Sequence, residues 1–228
     1  VKPRLLDLFC GAGGAGMGYH LAGFDVVGVD IKPQPDYPFE FRQADAMTFP
    51  LQGFSAVHGS PPCQAFTAMG VMWNAKKHHD LLTPTRARFV ASGLPYVIEN
   101  VPGAPMSGAH VTLCGTSFGL GAGEYELRRH RHFEMNFPIM VPGCQHTKPT
   151  IGIYGDHARD RRRVSGQHHD RGRQFAAGTG VTLAREAMGM PWASWHGLSQ
   201  AIPPAYTEYI GGVLMDEVWR RRNRAVAA

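Results

Sequence analysis

The run Gly59-Ser60-Pro61-Pro62-Cys63-Gln64 places two prolines directly ahead of a thiol. Each proline fixes φ at about −65°, so the backbone is stiff where it leaves the short apolar run 54–58. A packing cysteine needs no such frame. A nucleophile does, because its sulfur must meet one substrate atom from one direction. Cys63 is therefore the first candidate catalytic residue. The competing reading is a buried structural thiol, whose reactivity would be low.

A glycine cluster precedes it. Residues 7–16, DLFCGAGGAG, run from a strand-like stretch into a helix-like one, and Gly11, Gly13 and Gly16 satisfy Gly-x-Gly-x-x-Gly. Such glycines let a ligand approach the backbone and let the helix pack close. Asp30 ends the next apolar run, where an acid binds ribose hydroxyls. This much fits a dinucleotide enzyme, another adenosyl ligand, or a glycine turn with no ligand. Asp45, at the end of a third run, favours a nucleoside without a pyrophosphate, such as S-adenosylmethionine. There Asp45 accepts the exocyclic amine of adenine and Phe9 lies against the ring. The alternative for Asp45 is a turn cap.

A third group is basic. Arg159, Arg161, Arg162, Arg163, Arg171 and Arg173 fall within fifteen residues. Arginine suits bidentate contacts to phosphates and base edges. A solvated insertion is the competing reading. Cys144, His146, His157, His168 and His169 raise the question of zinc. Their spacing is irregular, without the tight pairs of recognisable zinc patterns, so no metal is expected.

These residues need elements to hold them. Strands are expected at 4–9, 25–30, 39–45, 55–59 and 96–102. Helices are expected at 15–23, at 79–93 with Pro84 in the first turn, and at 203–222. In the last, Tyr206, Ile210, Val213, Leu214 and Val218 recur at helical spacing. Strands alternating with helices imply a parallel, doubly wound α/β sheet. Residues 135–200 are weakly periodic, and 155–173 is the least core-like stretch, expected as a long loop or small subdomain. With 228 residues and 43% hydrophobic composition, the chain can bury one sizeable core. No apolar run approaches the roughly 20 residues of a membrane span, and residues 1–9 lack a signal-peptide layout. The expectation is a cytoplasmic, monomeric protein. Cys10, Cys63, Cys114 and Cys144 form no Cys-x-x-Cys pair and are expected as free thiols. The net charge is +5, from 18 Arg and 5 Lys against 18 acids, which admits nucleic acid as a partner. The arginine excess is equally explained by a GC-rich coding sequence.

Taken in order, DLFCGAGG, GSPPCQ, VIENV and RRHRHFE resemble the motifs of cytosine-5 DNA methyltransferases, in a compact, phage-type form. The resemblance covers roughly 4–135 and 198–218. It implies a Rossmann-like S-adenosylmethionine-dependent methyltransferase fold with a small, irregular target-recognition segment. The implied division is a catalytic and cofactor-binding core over 1–135, a recognition segment over 136–197, and a C-terminal helix over 198–228 that returns to the core. It assigns Cys63 the covalent step, Glu99 the contact to cytosine N3 and its amine, and Arg129 and Arg131 a fork that holds the base oxygen and steadies Glu99. Asn100 would orient the turn. Cofactor contacts fall on Phe9, Cys10, Gly11, Ala12, Gly13, Gly14, Asp30, Ile31, Asp45, Ala46, Pro62, Gln200, Ala201 and Ile202. Nucleic-acid contacts fall on Ser60, Gln64 and the six arginines, with double-stranded DNA as partner and a flipped-out base as substrate. The chain departs from the pattern at Leu127, where a glutamine is usual, at Asp30 in place of glutamate, and at Gln200 in place of asparagine. An RNA substrate, a dinucleotide oxidoreductase and a non-catalytic DNA-binding protein are the rivals. The last two leave GSPPCQ and VIENV unexplained.

Overall fold

The computed structural model describes residues 1–63, 66, 79–107, 109–155, 157–160, 173–175 and 179–227. Five strands build the parallel part of the main sheet: β1 (Arg4–Leu8), β2 (Asp25–Asp30), β3 (Glu40–Gln43), β4 (Ala56–Gly59) and β5 (Tyr96–Asn100). Next come β6 (His110–Leu113), the short pair β7 (Gly121–Ala122) and β8 (Tyr125–Glu126), and β9 (Arg131–Met135). The main sheet has the order β3-β2-β1-β4-β5-β9-β6, with β9 antiparallel to both neighbours. From β1 the chain moves outward to β2 and β3, and from β4, on the other side of β1, it moves outward the opposite way to β5. The loops after β1 and β4 therefore diverge and open a crevice at the strand ends, the usual ligand site of such sheets.

Alternation along the strands separates two cores. Leu5, Val26, Ala56 and Val97 face one side, against α1 (Gly14–Leu21) and the C-terminal helix. Leu6, Val27, Val57 and Ile98 face the other, against α2 (Leu82–Ser92) through Leu82 and Phe89. Both faces are covered, which is why the central strands read as apolar runs rather than as alternating ones. Pro84 falls in the first turn of α2, as expected.

The segment from 136 onward departs from the sequence reading. It carries β10 (Ile151–Tyr154), β11 (His157–Asp160) and β12 (Arg173–Gln174) in one antiparallel sheet. Then come α3 (Thr179–Met188) and α4 (Trp195–Gln200). Ile151, Ile153, Ala184, Ala187, Met188, Met190 and Leu198 form a third buried core. Part of what reads as irregular is thus packed interior. The buried stripe of α3 is glycine, alanine and methionine, which carries little of the branched or aromatic signal that marks a core. Within 155–173, the described residues 157–160 and 173 are strand, which fits the small subdomain rather than the long loop.

The last helix, α5 (Pro204–Ala227), buries Tyr206, Ile210, Leu214 and Val218. Its start lies on α1 at backbone distance. A Cβ on Gly14 would stand 2.2 Å from the Ile202 carbonyl oxygen, and one on Gly18 2.1 Å from that of Pro204. Thr207 Oγ1 donates to the Ala15 carbonyl at 2.9 Å. No helix among the described residues is long and apolar enough to cross a membrane.

Helix propensity alone would make Gly18→Ala stabilising by about 1 kcal/mol. The close approach reverses the sign, and a loss of about 1–3 kcal/mol is expected. Urea unfolding of the two proteins checks the direction.

Candidate active site

A cavity of about 360 Å³ lies at the carboxyl ends of β1, β2, β4 and β5. Cys63 stands on its wall, four residues past the end of β4, on the rigid Pro61-Pro62 frame. Asn100, the last residue of β5, fastens that frame. Its Nδ2 donates to the Pro61 carbonyl at 2.9 Å, and its Oδ1 accepts the Val101 amide. Burial pushes the Cys63 thiol up, and the Glu99 carboxylate adds to this. Arg131 and, more weakly, Arg129 pull it down. The resting sulfur is a thiol, because charge on it is poorly solvated.

Glu99 and Arg131 line the same cavity, with Nε 3.1 Å from Oε1. Burial raises the Glu99 carboxyl above its ordinary range, against the lowering pull of Arg131, a Ser60 hydrogen bond and Arg129. Behind Glu99 runs a chain of polar groups with no counterpart in the sequence reading. The Tyr19 hydroxyl meets His58 Nδ1 at 3.0 Å, and His58 Nε2 meets Ser60 Oγ at 2.9 Å. Tyr19 is fully buried and its phenol is pushed up by burial, so it keeps its proton. Among the described residues that proton has only Nδ1 to go to. His58 is therefore the Nε2–H tautomer, donating to Ser60, whose hydroxyl favours the charged form of the neighbouring Glu99 carboxyl. Burial pushes His58 down to about 3, so the ring stays neutral. Ser60, expected at the nucleic acid, lines the cavity but spends its hydroxyl on this chain.

The two arginines part company. Arg131 steadies Glu99. Arg129 is buried and turns its Nη1 to the Ile153 carbonyl (2.8 Å) and its Nη2 to that of Ser199 (2.7 Å). The expected fork of two arginines on Glu99 is thus one arginine, while the other ties β10 and the end of α4 to the sheet. Burial and Arg131 hold the Arg129 guanidinium down to about 9, still charged at neutral pH. Leu127, at the position where glutamine is usual, is core.

Around the glycine loop, Phe9, Cys10, Gly11, Ala12 and Gly14 line the cavity, as do Asp30 and Ile31 from the end of β2. Phe9 has φ +57°, the one positive value outside glycine among the described residues. A bulky residue tolerates that region poorly, so the turn stores strain where a ligand would meet it. Asp30 Oδ2 accepts the Gly11 amide and Oδ1 the Lys32 amide, at 3.1 and 3.0 Å. A carboxylate offers about four acceptor positions, which leaves two for a ribose diol. Pro62, Gln200, Ala201 and Ile202 complete the wall. Gly13, Asp45 and Ala46 are not on it. Asp45 Oδ1 instead accepts the Met47 amide at 2.8 Å, the turn-cap alternative, and Ala46 is buried.

Gln64, Arg161, Arg162, Arg163 and Arg171 lie outside the described residues, as do His168 and His169. Arg159 and Arg173 are on β11 and β12, where Arg159 pairs with Gln174 and Asp160 with Arg173.

Asp7, His58, Tyr19, Lys32, Gln34 and His196 are among the site residues that sequence reasoning missed. The first two left a trace, as polar residues within the largely apolar runs 4–9 and 54–58. Asp7 is fully buried and lines the cavity. Its Oδ2 accepts the Tyr37 hydroxyl at 3.2 Å, and its Oδ1 has no partner among the described residues.

No protein-family model matches the chain. It is 31% identical over 125 residues to the Type II methyltransferase M.AquIA of Picosynechococcus sp., a match covering 45% of this chain and 50% of that protein. The match thus spans about half the length of that relative. Among solved structures it is similar to a DNA modification methyltransferase encoded within an E. coli prophage (TM-score 0.59, 13% identity, 94% of this chain and 99% of that one). It is similar to the S. pombe Dnmt2 methyltransferase (0.59, 15%, 95% and 99%). It is also similar to the Entamoeba histolytica methyltransferase EhMeth (0.62, 11%, 96% and 99%). The chain has the Rossmann-like methyltransferase fold of these proteins.

Asp7 sets a pH dependence on stability. Burial pushes its carboxyl from 3.8 up to about 7. The protonated form is the one the fold accommodates, so its contribution is complete below the unfolded value of 3.8. It falls as pH rises and is gone above about 7. Asp7→Asn is expected to unfold at a higher temperature than the wild type at about pH 8, with the gap closing toward about pH 4. Thermal melts across that range check it.

Proposed function

We propose that the chain methylates C5 of cytosine in DNA, using S-adenosylmethionine and covalent catalysis by Cys63 on a base flipped out of the duplex. What carries this reading is one cavity with Cys63, Glu99 and Arg131 on one side and the glycine loop and Asp30 on the other. The cofactor-side residues fit a nucleoside with a positively charged tail. Phe9 offers an aromatic face, Asp30 two acceptor positions for a ribose, and Asp7 an unpartnered buried acceptor. About 360 Å³ lies within the common range of ligand pockets. When bound, S-adenosylmethionine supplies an electrophilic methyl group on a sulfonium.

The chain's residues supply the rest. Cytosine C5 is a weak nucleophile until a sulfur adds at C6. Glu99, raised by burial, donates its proton to N3 as the Cys63 sulfur bonds C6, and the thiol proton passes to the Glu99 carboxylate so formed. Arg131 holds the Glu99 carboxyl in place on one side, and the Tyr19–His58–Ser60 chain holds it on the other. After C5 has gained its methyl group, loss of the C5 proton to a base expels the sulfur, and the N3 proton returns through Glu99 to the thiolate, which restores the ring and the thiol. A base inside a duplex is out of reach of Cys63, so the target must leave the stack. The arginines of 159–173 supply phosphate and base-edge contacts. The similarity to a Type II methyltransferase, and in fold to a prophage DNA modification methyltransferase, supports DNA as the substrate.

Bisulfite sequencing of DNA from cells that express the protein should show methylated cytosines. A duplex with 5-fluorocytosine at the target should form a covalent adduct, because fluorine blocks the elimination. Cys63→Ser should form no adduct and transfer no methyl group. Normal turnover by that variant, or methylation of RNA alone, would overturn the reading.

S-adenosylhomocysteine should raise the melting temperature, by the equivalent of about 2.7 kcal/mol at about one hundred times its Kd, and NAD should not. The reverse preference would favour an oxidoreductase.

A further inference from the structure

Four soft ligands converge away from the active-site cavity. Cys114 follows β6 and caps a short 3₁₀ turn (Gly115–Phe118), and His130 immediately precedes β9. Cys144 and His146 come from the stretch between β9 and β10. Their ligand atoms all lie within 4.8 Å of one another. Cys114 Sγ stands 3.4 Å from His146 Nε2, and Cys144 Sγ stands 3.7 Å from His130 Nε2. Around a tetrahedral zinc, with Zn–S about 2.3 Å and Zn–N about 2.0–2.1 Å, ligand atoms are separated by roughly 3.3–3.8 Å. The closest pairs already have that spacing.

We propose that Cys114, His130, Cys144 and His146 form a structural zinc site. The donor set argues the metal. Two sulfurs and two imidazole nitrogens in a compact, four-cornered arrangement suit zinc, and oxygen-seeking cations would not select them. Binding displaces the two thiol protons to solvent. Two thiolates then cancel the charge of the ion, and a neutral centre can rest against the buried Cys114. Four protein ligands close the coordination sphere, which marks a structural rather than a catalytic site. The surroundings are consistent with one. Thr116 Oγ1 lies 3.2 Å from Cys114 Sγ and can donate to a thiolate. Glu126 Oε2 accepts the amides of Thr147 and Lys148, each at 3.0 Å, and so anchors the stretch that follows His146.

The consequence is mechanical. His130 sits between Arg129, which holds β10 and α4, and Arg131, which holds Glu99. A metal on His130 pins that strand start to the stretch that leads into the small sheet. Irregular spacing hid the site, because Cys114 and His130 reach it only through the pairing of β6 with β9. Of the histidines that raised the question in the sequence, only His146 takes part among the described side chains.

The test is the zinc content of the full chain, purified without a polyhistidine tag, by mass spectrometry. One zinc per chain is expected. Cys144→Ser and His146→Ala, both at exposed positions, should each lose it while keeping the wild-type circular dichroism. His79→Ala, exposed and outside the cluster, should keep it. Cobalt added to the metal-stripped protein should give the visible bands of a tetrahedral site with thiolate charge transfer, absent in Cys144→Ser. No bound metal after zinc reconstitution, zinc unchanged in both variants, or a Cys114–Cys144 disulfide in freshly lysed protein would each overturn the proposal.

Discussion

The backbone contact between α1 and the start of α5 is the constraint on which the rest depends. It exists because Gly14 and Gly18 have no side chain. Any Cβ there would stand within about van der Waals overlap of a carbonyl oxygen. The contact brings residues 200–202 to the glycine loop, so the end of the chain closes a cavity that its beginning opens. It also seats Tyr206 in the core, where its hydroxyl donates to the Arg129 carbonyl at 2.6 Å. One approach of two helices thereby fixes both the cofactor wall and the strand that carries the arginines.

Within that frame the site is a problem of buried polar groups. Such groups are costly unless partnered. Glu99 is held by Arg131 and by a hydroxyl, and the hydroxyl is itself held by a neutral histidine whose tautomer a buried tyrosine selects. Each member fixes the next, so the carboxyl has one orientation toward the cavity. Arg129 answers the same demand differently. Its Nη1 and Nη2 donate to the carbonyls of Ile153 and Ser199, which lie in the segment beyond the main sheet, while its buried Nε has no partner among the described residues. Trp192 adds a second tie from that segment, donating to the Ala12 carbonyl at 2.9 Å. The irregular segment is therefore joined to the glycine loop and to the arginine strand by hydrogen bonds, as well as by its own core.

Much of the main sheet is legible in the order of residues. The apolar runs 4–9, 25–30, 55–59 and 96–102 lie over β1, β2, β4 and β5, because strands buried on both faces must be continuously apolar. The heptad-like recurrence from Tyr206 to Val218 marks α5, because one helical face meets the core. The rigid frame of Cys63 and the glycine turn after β1 are visible as composition. By contrast, α3 is not legible. Its buried face is small residues, and their burial depends on what packs over them.

Local conformations and the chemical inventory are legible in the order of residues: stiff prolines, permissive glycines, a thiol, acids at strand ends. Those follow from φ, ψ and hydrophobic periodicity, which are properties of neighbouring residues. Which of these groups meet is set by the fold. It parted Arg129 from Arg131, turned Asp45 into a turn cap, enlisted Tyr19 and His58 behind Glu99, and gathered Cys114 and His130 with Cys144 and His146. These outcomes are set by burial and by contacts between residues distant in the chain. Desolvation and hydrogen-bond satisfaction act through space, and a one-dimensional pattern does not contain them.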